Sequence, residues 1–169
     1  MSIFSSPSMV SEGLVLCLDA ANRDSYPGTG TAWTDISGNA NNATLVNGPV
    51  FNTDNAGTIS FDGTNDRVDC GTYFPNIFSG MNPFTIECWV YPNSTQNAYA
   101  DIWGNHRDGY YGLVMQNNGG TGNIFAWGFG NGSSWVPNVY VTLNSLKYNH
   151  LVAIRTSSND LFTFLNSTL

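Results

Sequence analysis

Charge is what this 169-residue sequence has least of. Asp, Glu, Lys and Arg make up 10% of it, well below the usual quarter. Basic residues are scarcest: one lysine, Lys147, and four scattered arginines, Arg23, Arg67, Arg107 and Arg155, set against twelve acids for a net charge of −7. Nucleic-acid binding needs a basic footprint that displaces counterions from phosphates, and anionic membrane surfaces attract the same footprint. Neither partner is expected. Glutamate is reduced to Glu12 and Glu87, so the paired carboxylates of a glycosidase have almost nowhere to stand. The three cysteines, Cys17, Cys70 and Cys88, form no CxxC, which argues against zinc; they read as buried free thiols of a chain folded in a reducing compartment. No apolar run approaches the roughly 20 residues that span a bilayer. The opening MSIFSSPSMV has neither the basic nor the long apolar region of a secretion signal. Sustained helical periodicity is missing throughout.

What is present is strand material. Hydrophobic residues are 41% and aromatics 14%, enough for a real core, and the polar remainder is Asn, Ser, Thr and Gly, which favour turns over helix interiors. The length suits one domain, with residues 1–12 as a flexible arm and 13–169 as the folded body. Strands are expected at Leu14–Leu18, Ala43–Val46, Thr58–Phe61, Asp66–Cys70, Phe84–Tyr91, Ala100–Trp103, Tyr111–Gln116, Ile124–Phe129, Tyr140–Leu143, Leu151–Arg155 and Leu161–Leu165. The turn Asp62-Gly63-Thr64-Asn65 suggests a hairpin between the third and fourth of these. The run Phe84–Tyr91 is β-branched and aromatic and ends at Pro92. Alternation puts Phe84, Ile86, Cys88 and Val90 on one face and Thr85, Glu87, Trp89 and Tyr91 on the other. Large side chains on both faces suggest a central strand covered on both sides, with Trp89 at least partly buried. Many short strands with regular turn signals mean a sandwich or barrel.

Candidate chemistry is sparse. His150 precedes Leu151-Val152-Ala153-Ile154 and reads as a hydrogen-bonding residue at the start of that strand. His106 lies in a polar loop where it could touch a ligand. No GxSxG elbow occurs, and Gly119-Gly120-Thr121-Gly122 neither follows a parallel strand nor opens a helix, which weakens a phosphate reading. Calcium is the one cofactor the residues suggest, since oxygen ligands cluster at Asp35–Asn39 and at Asp62, Asn65 and Asp66, the last three being the named candidates; the same side chains read first as caps of tight turns. Glycan binding calls for flat aromatic faces beside amides. Trp135, Asn131, Tyr110 and His106 are the candidates, while Trp127 and Tyr111 read as core aromatics of their strands.

Taken in order, GLVLCLDAAN, SYPGTGTAWTDISGNANNATLVNGPVF, ISFDGTNDRVDCG, FTIECWVYP and NHLVAIR resemble laminin-G-like domains of the concanavalin A-like lectin/glucanase superfamily, of the kind carried on bacteriophage and marine viral structural proteins. The likeness runs from about Gly13 to the end. It implies an all-β jelly-roll β-sandwich of two antiparallel sheets. It also implies a non-enzymatic virion module, a capsid decoration or tail fibre, folded in the host cytoplasm. The implied partners are other virion proteins, copies of itself, or host-surface glycans. A free-standing lectin is the alternative. A glycoside hydrolase is more remote: laminarinase-like relatives carry E-x-D-x-x-E on one strand, and Glu87 is followed instead by Cys88 and Trp89. The resembling domains continue past Phe162–Leu169 with further strands, so the final strands of the sandwich are expected to come from elsewhere.

Overall fold

The computed structural model describes residues 10–72, 82–93, 96–105, 111–119, 122–131 and 133–168. They are all-β. The strands are β1 (Ala32–Trp33), β2 (Ala43–Val46), β3 (Val50–Asn52), β4 (Thr58–Ser60), β5 (Arg67–Asp69), β6 (Phe84–Val90), β7 (Asp101–Gly104), β8 (Tyr111–Asn117), β9 (Ile124–Asn131), β10 (Trp135–Thr142), β11 (Asn149–Arg155) and β12 (Leu161–Leu165). The one helical element among them is a single 3₁₀ turn at Asp54–Ala56. Every strand pairing is antiparallel. The chain divides into two compact units, Met1–Tyr73 and Phe74–Leu169.

The first unit holds a three-stranded sheet, β1-β2-β5, and the hairpin β3-β4. Ala43 and Leu45 alternate inward on β2, and Tyr26 is also buried. The Tyr26 ring contacts Trp33 and Phe51 at 5.9 and 5.6 Å, and its hydroxyl donates to the Gly30 carbonyl at 2.7 Å. Two expectations fail here. Thr58–Ser60 pairs with β3, not with Arg67–Asp69, which pairs with β2; the intervening Asp62–Asp66 turn is real but joins strands of different sheets. Leu14–Leu18 is not a strand. Its backbone groups are taken by a loop instead of a ladder. Asn39 Nδ2 donates to the Leu14 carbonyl, and Asn41 Nδ2 and Ser37 Oγ donate to that of Val15. The Cys17 N–H donates to Asp35, and the Cys17 carbonyl accepts from the Ile36 N–H.

The Asp35 carboxylate is the centre of that arrangement. Its Oδ1 accepts from the backbone N–H groups of Cys17 and Ser37, and its Oδ2 from the Ser37 hydroxyl and the Asn41 N–H. Four donors fill the four lone-pair directions of an ionised carboxylate. Burial by itself pushes the Asp35 pKa up; the hydrogen bonds from Cys17, Ser37 and Asn41 outweigh it and hold the carboxyl below its ordinary range.

The second unit holds two sheets, β10-β9-β8-β7 and β12-β11-β6. Both contribute to one core, in which Leu113, Met115, Phe125 and Trp127 meet Leu151 and Ala153, with Phe84, Cys88, Val90, Leu161 and Leu165 around them. This sandwich-like layering follows from alternation: in β11 the residues Asn149, Leu151, Ala153 and Arg155 are buried while those between them are half-exposed. Trp127, fully buried at 0% exposure, takes the core place expected of it. Its Nε1–H donates to the Thr163 hydroxyl at 2.7 Å, giving the one polar atom of that indole a partner from the other sheet.

Burial on both faces belongs to β8 and β9, with residues 113–115 and 125–128 consecutively buried. It does not extend to β6, which corrects the expectation for Phe84–Tyr91. Its inward set, Phe84, Ile86, Cys88 and Val90, is as read. The other face is open, with Trp89 67% exposed. Among the described residues β6 ends its sheet, with β11 as its neighbour. Burial of Cys88, reinforced by the adjacent Glu87 charge, pushes its thiol up to about 12; none of the three cysteines is in a disulfide, and all are half-buried, not fully buried as the sequence suggests.

Candidate binding face

The open side of β12-β11-β6 gathers the residues that alternation sends outward. Directly opposed residues of antiparallel strands share a face. The register therefore sets Trp89 beside His150, Glu87 beside Val152 and Phe164, and Thr85 beside Ile154 and Phe162. Extending it one step sets Tyr91 beside Tyr148, and those rings meet at 4.9 Å and 60°. The result is a platform of four rings at one end of the face and an aliphatic and phenyl strip at the other. Trp89, Tyr91, Tyr148 and Phe162 are all exposed.

The polar chemistry of the face sits at Trp89. Its indole stacks on the His150 imidazole with centroids 4.8 Å apart and planes at 24°. His150 Nε2 and Glu87 Oε1 are 2.7 Å apart, the length of a strong hydrogen bond to a carboxylate. His150 thus contacts two neighbours at once, fixing the indole from one side and the carboxylate from its edge. Its backbone N–H also donates to Asn166 Oδ1 at 2.9 Å, matching its expected role at the start of the strand. The loop before β11 is held by Asn149. That buried amide accepts from the Asn144 N–H and donates to the Asn144 and Lys147 carbonyls, and so positions Tyr148.

The sequence-derived candidates fall elsewhere. Asn131 ends β9 and Trp135 begins β10, on the two sides of one hairpin turn. Tyr110 and His106 lie outside the described residues. Asp62, Asn65 and Asp66 form an exposed turn in which Asp62 Oδ1 accepts from the Thr64 N–H and Asp66 Oδ2 from the Asp62 N–H. The Asn65 carbonyl accepts from Asn47 Nδ2. The Asp62 and Asp66 side chains thus cap the turn, and Asp66 Oδ1 is a buried oxygen there without a protein partner. The Asp35 loop is spent on holding Leu14–Cys17. Among the described residues no three His, Cys, Asp or Glu side chains converge as metal ligands. The open face is half visible in the sequence: alternation names Thr85, Glu87, Trp89 and Tyr91 as one set, but alternation alone does not say which set is covered.

The sequence matches no protein-family model, and neither curated proteins nor solved structures show a match to the chain.

Proposed function

We propose that this chain is a non-enzymatic structural module of a virus particle, a capsid decoration or tail-fibre domain of the laminin-G-like jelly-roll kind, working by protein contacts through the outer face of β6, β11 and β12. The observation that carries the contact reading is that face: Trp89, Tyr91, Tyr148 and Phe162 exposed together over half-exposed Val152, Ile154 and Phe164. Contiguous exposed apolar surface marks interaction sites, and Trp, Tyr and Phe are the residues enriched at interface cores. The resemblance to viral laminin-G-like modules supplies the particle. The test is mass spectrometry of purified particles with the native chain and with a Tyr91→Ser/Phe162→Ser double variant. The chain is expected in native particles and missing when the face is altered but the circular dichroism spectrum is unchanged. Native particles lacking the chain would reject the virion assignment.

A second reading, host-surface glycan binding, is supported by the placement of Asn131 and Trp135 at one hairpin end. A glycan array probed with the chain and with Trp135→Ala tests it; binding that is lost in the variant favours it.

A further inference from the structure

We infer that Asn47-Gly48 is a self-modifying site: the Gly48 nitrogen closes on the Asn47 side chain, ammonia leaves, and hydrolysis yields an aspartate or isoaspartate that releases the Asp62–Asp66 turn.

The chemistry needs only two neighbours in sequence. The backbone nitrogen after an asparagine attacks that residue's side-chain carbonyl carbon and loses its proton to solvent. One C–N bond forms, the bond to the side-chain nitrogen breaks, and ammonia departs with a proton from solvent. The five-membered succinimide then takes up one water. Opening at one carbonyl gives aspartate and at the other isoaspartate; nothing is oxidised or reduced. Glycine hinders the attack least, because it has no Cβ. The sequence holds three such pairs, Asn47-Gly48, Asn118-Gly119 and Asn131-Gly132. Gly132 lies outside the described residues.

The fold separates the other two. Asn47 and Gly48 are both exposed, in the turn between β2 and β3. Nothing stands within 4 Å of where a Gly48 Cβ would be, and the Gly48 N–H makes no hydrogen bond among the described residues. Asn47 is held at φ +70°, so leaving that left-handed conformation relieves backbone strain instead of creating it. Its Nδ2 donates to the Asn65 carbonyl at 2.8 Å. As that nitrogen takes a proton to leave, it becomes a cationic donor, which the same carbonyl holds more strongly. The second pair is tied down. The Gly119 N–H, the attacking group, donates to the Asn117 carbonyl at 2.8 Å. The Tyr99 hydroxyl stands 3.0 Å from where a Gly119 Cβ would be, so that peptide has little room to turn.

The product acts on the neighbouring turn. The register pairs Val46 with Arg67, and one further step sets Asn47 beside Asp66. In the unmodified chain the Asn47 amide closes this step onto the Asn65 carbonyl. A carboxylate there has no donor and meets that carbonyl acceptor to acceptor. It also adds a negative charge beside Asp66, whose Oδ1 has no protein partner. Isoaspartate lengthens the backbone by a methylene as well. Either product frees the Asp62–Asp66 turn from the end of β2.

The test incubates the full chain, folded, in mildly alkaline buffer and maps it by mass spectrometry over time, with electron-transfer fragmentation to tell isoaspartate from aspartate. Asn47 is expected to convert about tenfold faster than Asn118. In urea, where only the shared Asn-Gly sequence remains, the two rates are expected to converge. Equal rates in the folded chain, a faster Asn118, or a difference that persists in urea would overturn the inference. Asn47→Asp reproduces one product. It is expected to speed amide hydrogen exchange about tenfold at Asp62 and Thr64, whose N–H groups bond within the turn. Unchanged exchange there would overturn the release of the turn.

Discussion

Replacing Asp35 by Asn tests whether a single carboxylate holds the Leu14–Cys17 segment in place. The side chain is 6% exposed and accepts four hydrogen bonds, three of them from backbone N–H groups. An amide of the same shape offers one acceptor oxygen and turns an NH₂ towards donors. At least one of the oxygen positions then meets a donor, and the Cys17, Ser37 or Asn41 N–H groups lose partners. Hydrogen bonds to charged groups contribute about 1.5–3 kcal/mol each, and an orphaned buried donor costs about 1–3. Water can reach the half-buried Ser37 and Asn41, so the lower end applies there, and the expected loss is about 3 kcal/mol. In urea, with a slope of about 2 kcal/mol per molar, the unfolding midpoint drops by about 1.5 M. The pH dependence has a definite sign. Because the folded carboxyl is held below its ordinary range, its stabilisation is complete above the unfolded pKa and is lost as pH falls through the lowered folded value. The native chain should lose stability on acidification over that window, and Asp35→Asn should lose correspondingly less there. A midpoint within about 0.3 M of native, or an unchanged acid profile, would refute the reasoning.

The two sheets of the second unit predict opposite outcomes for two tryptophans: Trp127→Ala should destabilise by about 3–5 kcal/mol and Trp89→Ala by less than about 1, read by chemical denaturation. Gly57 has φ +156°, and a Cβ there would stand 2.8 Å from the Ala21 Cα and closer still to the Ala20 carbonyl, so Gly57→Ala should destabilise by about 1–3 kcal/mol, seen as a lower thermal midpoint. Cys88 should resist Ellman's reagent in the native chain at pH 8, since its thiol is pushed up to about 12 and thiolate is the reactive form; rapid modification of Cys88, located by peptide mapping, would contradict its burial.

Period-two alternation made β6, β11 and β12 legible, because each has a run of five or more residues with its own inside and outside. The misses share a physical cause. Leu14–Leu18 has the composition of a strand, but side chains 25 and 26 residues later, Asn39 and Asn41, satisfy the Leu14 and Val15 carbonyls, and that competition has no local signature. Val50–Asn52 is three residues long, too short for alternation to register, and without β3 the nearest visible neighbour for β4 is β5. The open face is hard to read from sequence because Trp89 looks like a core residue by type: large apolar side chains on both faces of a strand signal burial only when a layer exists to cover each. Composition points to loops for glycan candidates, and of these Asn131 and Trp135 belong to β9 and β10, not to the sheet β12-β11-β6 where the exposed rings gather.

The motif NHLVAIR shows how a short stretch of sequence ties fold to face. Its first residue, Asn149, is fully buried where loop becomes strand. Its Oδ1 takes the Asn144 N–H at 2.9 Å, and its Nδ2 donates to the carbonyls of Asn144 at 3.0 Å and Lys147 at 2.8 Å. Those bonds close the loop Asn144–Tyr148 onto the end of β11, which keeps Tyr148 against Tyr91 and both beside the Trp89–His150 stack. Asn149→Asp keeps the shape and the acceptor but removes the donors, leaving a carboxylate oxygen facing two carbonyls in a buried site. Losing two such bonds and adding that repulsion costs about 3 kcal/mol. Asn149→Asp should therefore lower stability by that amount and, unlike the core variant Trp127→Ala, alter the Tyr91 and Tyr148 ring resonances even under conditions where the chain stays folded. Folded chain with native ring shifts and a loss below about 1 kcal/mol would mean that the loop is positioned by something other than Asn149.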